Sequence, residues 1–376
     1  MKDIFQVSLL NRLLVLVFCL MGQQVLAEGG GTAEKRQQSS PHKPLDIVFC
    51  IDLSGSTNGL INDLRDNLWL MINLAQRMDP RPELRIGVVG FSRPSFGREN
   101  AYVKILSPLT RNFDALAAEL YKLRPSIEKG DQIVSAALRT CIYDMKWSDR
   151  EDAVKMVYLV GNGMVTANGY EYVRYCEEAR ERNIPIHALY VMKSANWFKE
   201  LPGYRRIAGL TNGMQTEITV NKTDDVKVWS SVTENLEPLN RRYNATYLWS
   251  GNDSSYCRKA LFASDSGAFF ANTDVFLNRL YYKSGEHFAA NFAACDVVSN
   301  NALLFADTNP EFSSAYQQRV RELFSIREQY REELHARFTD ADLIKTEQAY
   351  ISGQLPDNNI LHRCVMNILY RAWGMR

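Results

Sequence analysis

Histidine is scarce in this chain, five in 376 residues. His42 falls in a polar stretch, His187 in an apolar run, and His287, His335 and His362 in helical patterns, so structural histidines are expected and no imidazole pairs visibly with a nucleophile. The sequence lacks a His-Glu-x-x-His pair, a Gly-x-Ser-x-Gly elbow and a phosphate loop ending in Gly-Lys-Ser or Gly-Lys-Thr, which removes the commonest signatures of zinc proteases, serine hydrolases and nucleotide-cleaving folds. Gly161-x-Gly163 has Thr166 where a dinucleotide fingerprint needs its third glycine. No Cys-x-x-Cys occurs, which argues against a zinc ribbon and a thioredoxin-like centre. A surplus of either charge is missing too, with 44 basic and 43 acidic residues. Such a chain carries no electrostatic footprint for nucleic acid or for an acidic membrane surface.

What is present begins with a leader pattern. Lys2 and Arg12 accompany an apolar run from Leu13 to Met21, too short to span a bilayer, and Val25-Leu26-Ala27 offers small residues for a signal peptidase. Residues 1–27 are therefore expected to be a cleaved signal peptide, giving a secreted or periplasmic protein without a transmembrane segment. Phe18 is too bulky before Cys19 for a lipid-attachment box. Residues 28–44, rich in Gly, Gln, Ser, Lys and Pro, read as a flexible linker. Removing the leader leaves six cysteines and 42 charges of each sign. An even count in an exported chain permits disulfides, while Cys50, Cys141 and Cys176 sit in apolar patterns that suit buried thiols. Both readings stay open.

The remaining length exceeds that of a usual single core, so two structural units are expected, 45–220 and 221–376. In the first, apolar strands at 45–51, 84–91, 154–160, 184–192 and 214–220, with a short edge strand at 101–106, alternate with helices. The helical signals are Leu60 to Ala75, then 112–123, 132–146, 171–182 and 197–208. That alternation implies βαβ units, right-handed crossovers and a mainly parallel sheet covered on both faces. Because it is complete before residue 221, the unit is expected to fold independently. Beyond it, stripes at Trp229 to Tyr243, Phe312 to Leu334, around Leu343 and Ile344, and Ile360 to Leu369 read as helices, whose apolar faces must meet one another or the first unit.

One loop carries chemistry. Asp52-Leu53-Ser54-Gly55-Ser56 follows the first apolar strand, so a carboxylate and two hydroxyls leave a strand end at alternate positions, where they can converge on a hard cation. Asp-x-Ser-x-Ser after such a strand, with Ile86-Gly87-Val88-Val89-Gly90-Phe91 and Val157-Tyr158-Leu159-Val160-Gly161-Asn162-Gly163, resembles the von Willebrand factor type A (VWA) domain. The resemblance implies a six-stranded, mostly parallel sheet with helices on both faces, and Mg²⁺ or Mn²⁺ held by three loops at the C-terminal strand ends. Asp52, Ser54 and Ser56 match the first loop. Asp131 stands where the family usually has Thr, and Asn162 where it usually has Asp.

The resemblance implies a non-enzymatic binding or adhesion module. In the family, the ion leaves one coordination position for an Asp or Glu of a protein partner, and a helix N-terminus nearby favours the same anion. The alternatives are a metal-free scaffold whose helical region makes the contacts, and a hydrolase of unknown substrate. The oligomeric state has no signal in the sequence.

Overall fold

The computed structural model describes residues 42–123, 133–165, 171–192, 198–219, 231–285, 288, 295–299, 314–336, 340–352 and 361–375. Strands β1 (Lys43–Asp52), β2 (Pro82–Phe91), β3 (Val103–Thr110), β4 (Val154–Gly161), β5 (Ile186–Met192) and β6 (Gln215–Thr219) form one sheet in the order β3-β2-β1-β4-β5-β6. All neighbours are parallel except β2 and β3, which run antiparallel with two register shifts. The edge strand β3 exposes Lys104 and Pro108.

The connecting helices are α1 (Asn58–Gln76), α2 (Phe113–Lys122), α3 (Val134–Arg139), α4 (Glu171–Glu181) and α5 (Leu201–Leu210). Alternate strand residues point to opposite faces. Leu45, Ile47, Phe49 and Ile51 of β1, with Met156, Tyr158 and Val160 of β4, meet α1 and α2. Val48 and Cys50, with Val157 and Leu159, meet α3, α4 and α5. Double coverage explains why these strands are nearly continuous apolar runs. Within the apolar run of β1, between Leu45 and Ile51, Asp46 is the exception. It is fully buried, held by Arg85 at 2.7 and 2.6 Å and by the Ser148 amide at 2.7 Å.

The helix expected over 132–146 is shorter. After α3 the chain widens into a π turn at Thr140–Asp144, and the Cys141 carbonyl accepts a 2.9 Å hydrogen bond from Trp147 Nε1. Likewise α5 starts at Leu201 rather than near Trp197, which lies outside the described residues.

The C-terminal elements are α6 (Ser231–Asn244), α7 (Ser254–Ala271), α8 (Thr273–Ser284), α9 (Ser314–Ala336), α10 (Asp340–Ser352) and α11 (Leu361–Trp373). They share the core of the α1 and α2 face. Val365, Met366 and Leu369 of α11 lie over Ile47, Phe49 and Ile86, and the Tyr158 hydroxyl donates to the Val365 carbonyl at 3.0 Å. Asp63 of α1 accepts from the His362 amide at 3.0 Å, capping the first turn of α11. His42–Arg376 is one compact unit. A disulfide joins Cys257 to Cys295, while Cys50, Cys141, Cys176 and Cys364 are buried and outside any disulfide among the described residues.

A charged cluster fastens α7 and α8 to α2. Arg279 is fully buried, its Nε 2.9 Å from Asp265 and its Nη2 bonded to Asp114, and its guanidinium lies 4.4 Å from the Trp69 ring centroid. Lys283 Nζ donates to Asp265 at 2.8 Å and to Asn240 at 2.6 Å. Burial raises the Asp114 carboxyl to about 6, against the opposing pull of Arg279. Since the folded chain then binds this proton more tightly than the unfolded one, the Asp114 contribution to stability is flat above that value and grows as pH falls from 6 toward 4. Asp114→Asn removes the proton site. Urea unfolding across this range should therefore fall further with rising pH in the wild type than in the variant, and parallel profiles would refute the shift.

Candidate metal site at the strand ends

The first loop is tied by its own backbone. The Ser54 amide donates to Asp52 Oδ1 at 2.9 Å, a turn in which a short acid accepts from the main chain two residues on. Thr57 Oγ1 lies 2.7 Å from the Asp52 carbonyl and 2.9 Å from the Ser54 carbonyl, sharing one hydrogen between them. A 3₁₀ turn, Gly55–Thr57, carries Ser56 and leads into α1. The Ser56 side chain is outside what the structure describes.

Asp52 itself is fully buried, and its Oδ2 has no hydrogen-bond partner among the described residues. Burial raises its carboxyl, while neighbouring polar groups of Ser54, Ser92 and the Asn162 main chain pull the other way. Gly161 closes over it from β4. A Cβ there would stand 2.4 Å from that of Asp52, on a backbone with φ of 156°. Only glycine allows this approach.

Asn162 follows at the end of β4, nearly buried, with its Nδ2 3.4 Å from the Val191 carbonyl of β5. Asp52, Ser54 and Asn162 thus come together at the C-terminal ends of adjacent strands. Asp131 lies outside the described residues.

The sequence reading did not single out four further residues here. Thr57 was next to the motif and visible in it. Ser92 follows Phe91, the register partner of Asp52, and is fully buried with an Oγ that lacks a partner among the described residues. Tyr204 of α5 is buried, its hydroxyl likewise without a partner, and its phenol is raised by burial and then by the Asp52 charge. Glu200 accepts from the Val165 amide at 3.0 Å, pinning the loop after β4 to the start of α5. No local pattern marks the last three.

These groups fit a hard divalent cation in chemistry. A carboxylate and hydroxyls are oxygen donors of the required kind, and an unpartnered buried carboxylate oxygen is costly unless a cation or proton offsets it. No cluster of three or more His, Cys, Asp or Glu suited to a metal occurs among the described residues, so hydroxyl and amide oxygens would have to complete the shell.

No protein-family model and no curated protein matches the chain. Among solved structures, the pilus adhesin SpaC from Lactobacillus rhamnosus GG in its open conformation is similar at 16% identity and a TM-score of 0.37, over 47% of this chain and 28% of that one. The SpRpn10 VWA domain is similar at 12% identity and a TM-score of 0.35, over 48% of this chain and 90% of the other. Manganese-loaded Plasmodium vivax TRAP protein is similar at 19% identity and a TM-score of 0.33, over 48% and 70%. This chain thus spans less than a third of the adhesin's length. In its six-stranded, mostly parallel sheet with helices on both faces, followed by a helical C-terminal region, the chain has a doubly wound α/β fold.

Proposed function

We propose that the strand ends bind Mg²⁺ or Mn²⁺ through Asp52, Ser54, Ser56, Asp131 and Asn162, and that the ion receives an Asp or Glu side chain of a protein partner. In this reading the protein is an exported adhesion or binding module and performs no catalysis. The observation that carries it is the buried Asp52 Oδ2, without a partner among the described residues, on a carboxylate neighboured by the Ser54 and Ser92 hydroxyls. A bound divalent ion offsets that charge, and its open coordination position favours a second carboxylate. The disulfide fits an extracellular setting. No helix among the described residues is long and apolar enough to cross a membrane.

A metal-free scaffold is the second reading, favoured by the raised Asp52 carboxyl, since a proton also relieves the buried charge. Thermal unfolding with Mg²⁺, Mn²⁺ or chelator separates the two. A ligand bound only by the native state adds about 2.7 kcal/mol at a hundredfold excess over its Kd. The wild type should gain a higher Tm with the ion, Asp52→Ala should lose that gain, and Asn162→Asp should enlarge it by adding a carboxylate. A wild-type curve indifferent to both ions establishes the scaffold reading.

A further inference from the structure

We propose that Ser92 belongs to this site as a positioning residue, holding the Asp52 carboxylate by donating its hydroxyl to Oδ2, so that divalent-cation affinity depends on it. The proposal rests on the cation reading above.

The sheet register supplies the first argument. Asp52 pairs with Phe91 at the last step of β1 and β2, and the Leu53 amide donates to the Phe91 carbonyl at 3.0 Å. Ser92 is therefore the next residue out at the strand end that Asp52 leaves. Its backbone gives the second argument. Ser92 has φ of 75°, a left-handed conformation that is costly for a non-glycine residue. Glycine would be free of that cost.

The hydroxyl gives the third. Ser92 is fully buried, so Oγ has lost water, yet it and Asp52 Oδ2 both lack a hydrogen-bond partner among the described residues. A buried hydroxyl left unmatched keeps its desolvation cost uncompensated. Two unsatisfied oxygens at neighbouring strand ends, one of them on a strained backbone, make poor sense as packing. They make sense as a donor and an acceptor whose bond forms once the carboxylate is held ionised by a cation. The Ser54 amide already fixes Oδ1. With Ser92 on Oδ2, rotation of the carboxylate stops, and each oxygen keeps a lone pair for the ion.

Ser92→Gly separates this role from a structural one, because it relieves the backbone while deleting the hydroxyl. The full chain and the variant are titrated with MnCl₂ by calorimetry, and each is melted without metal. The expected result is a metal-free Tm no lower than wild type, with Mn²⁺ affinity weakened about tenfold. Equal affinity overturns the proposal, as does a metal-free Tm that falls together with affinity, which would mark Ser92 as structural. A wild type that binds no Mn²⁺ is a separate outcome, sinking the cation reading and Ser92's role with it.

Discussion

A chain ended at Thr219 is expected to lose cooperative unfolding. It would keep all six strands, yet it would uncover the sheet face formed by Ile47, Phe49, Ile86 and Tyr158, which α11 covers, and the Trp69 and Phe113 surface, which α8 covers. The Tyr282 ring lies 5.1 Å from Trp69 and 6.0 Å from Phe113. Fully burying one such side chain contributes about 1.5–3 kcal/mol, so losing cover over half a dozen approaches the whole stability of a typical domain, about 5–15 kcal/mol. The truncation also leaves Asp114 buried without Arg279, or drags it into water. Fragment 42–219 should bind a hydrophobic dye and aggregate on heating. A sharp calorimetric transition matching the full chain would instead make residues 45–220 the self-sufficient unit that strand and helix alternation suggests.

The largest single-residue effect is expected at Arg279. Replacing it by Met keeps most of the volume but removes the charge that faces both Asp114 and Asp265, leaving Lys283 as the one cation bonded to Asp265 in this cluster. Breaking a buried pair from one side costs about 3–5 kcal/mol, because the stranded carboxylate keeps its desolvation cost. For a unit of this size, that corresponds to a Tm lower by roughly 4–7 °C. Adding Asp114→Asn to Arg279→Met should restore part of the loss, since a neutral amide tolerates burial better. Additive losses in the double variant would show that the two side chains act separately.

The sheet was legible because buried parallel strands are apolar on both faces, so the runs at 45–51, 84–91 and 154–160 stand out without help from alternation. The helices α7 and α8 were not. Asp265, Arg279 and Lys283 interrupt their apolar pattern, and only tertiary pairing turns those charges into interior residues. The loop of Asp52 and Ser54 was readable for a local reason, since all its donors lie within five residues of one strand end. Asn162 could be placed through its strand. Ser92, Glu200 and Tyr204 reach the same region through sheet register and helix packing, which have no signature in neighbouring residues. The disulfide had the same limit. Six cysteines allow many pairings, and the choice of Cys257 with Cys295 depends on where α7 begins.

The antiparallel strand β3 bears on how copies of this chain can meet. Along its exposed side Pro108 offers no amide hydrogen and Lys104 projects a charge, while the register shifts against β2 break the even spacing that an incoming strand would need. A second molecule therefore finds a poor template there, and widening the sheet by strand addition through this border is disfavoured. At that flank, association between copies falls to side-chain contacts rather than to shared main-chain ladders.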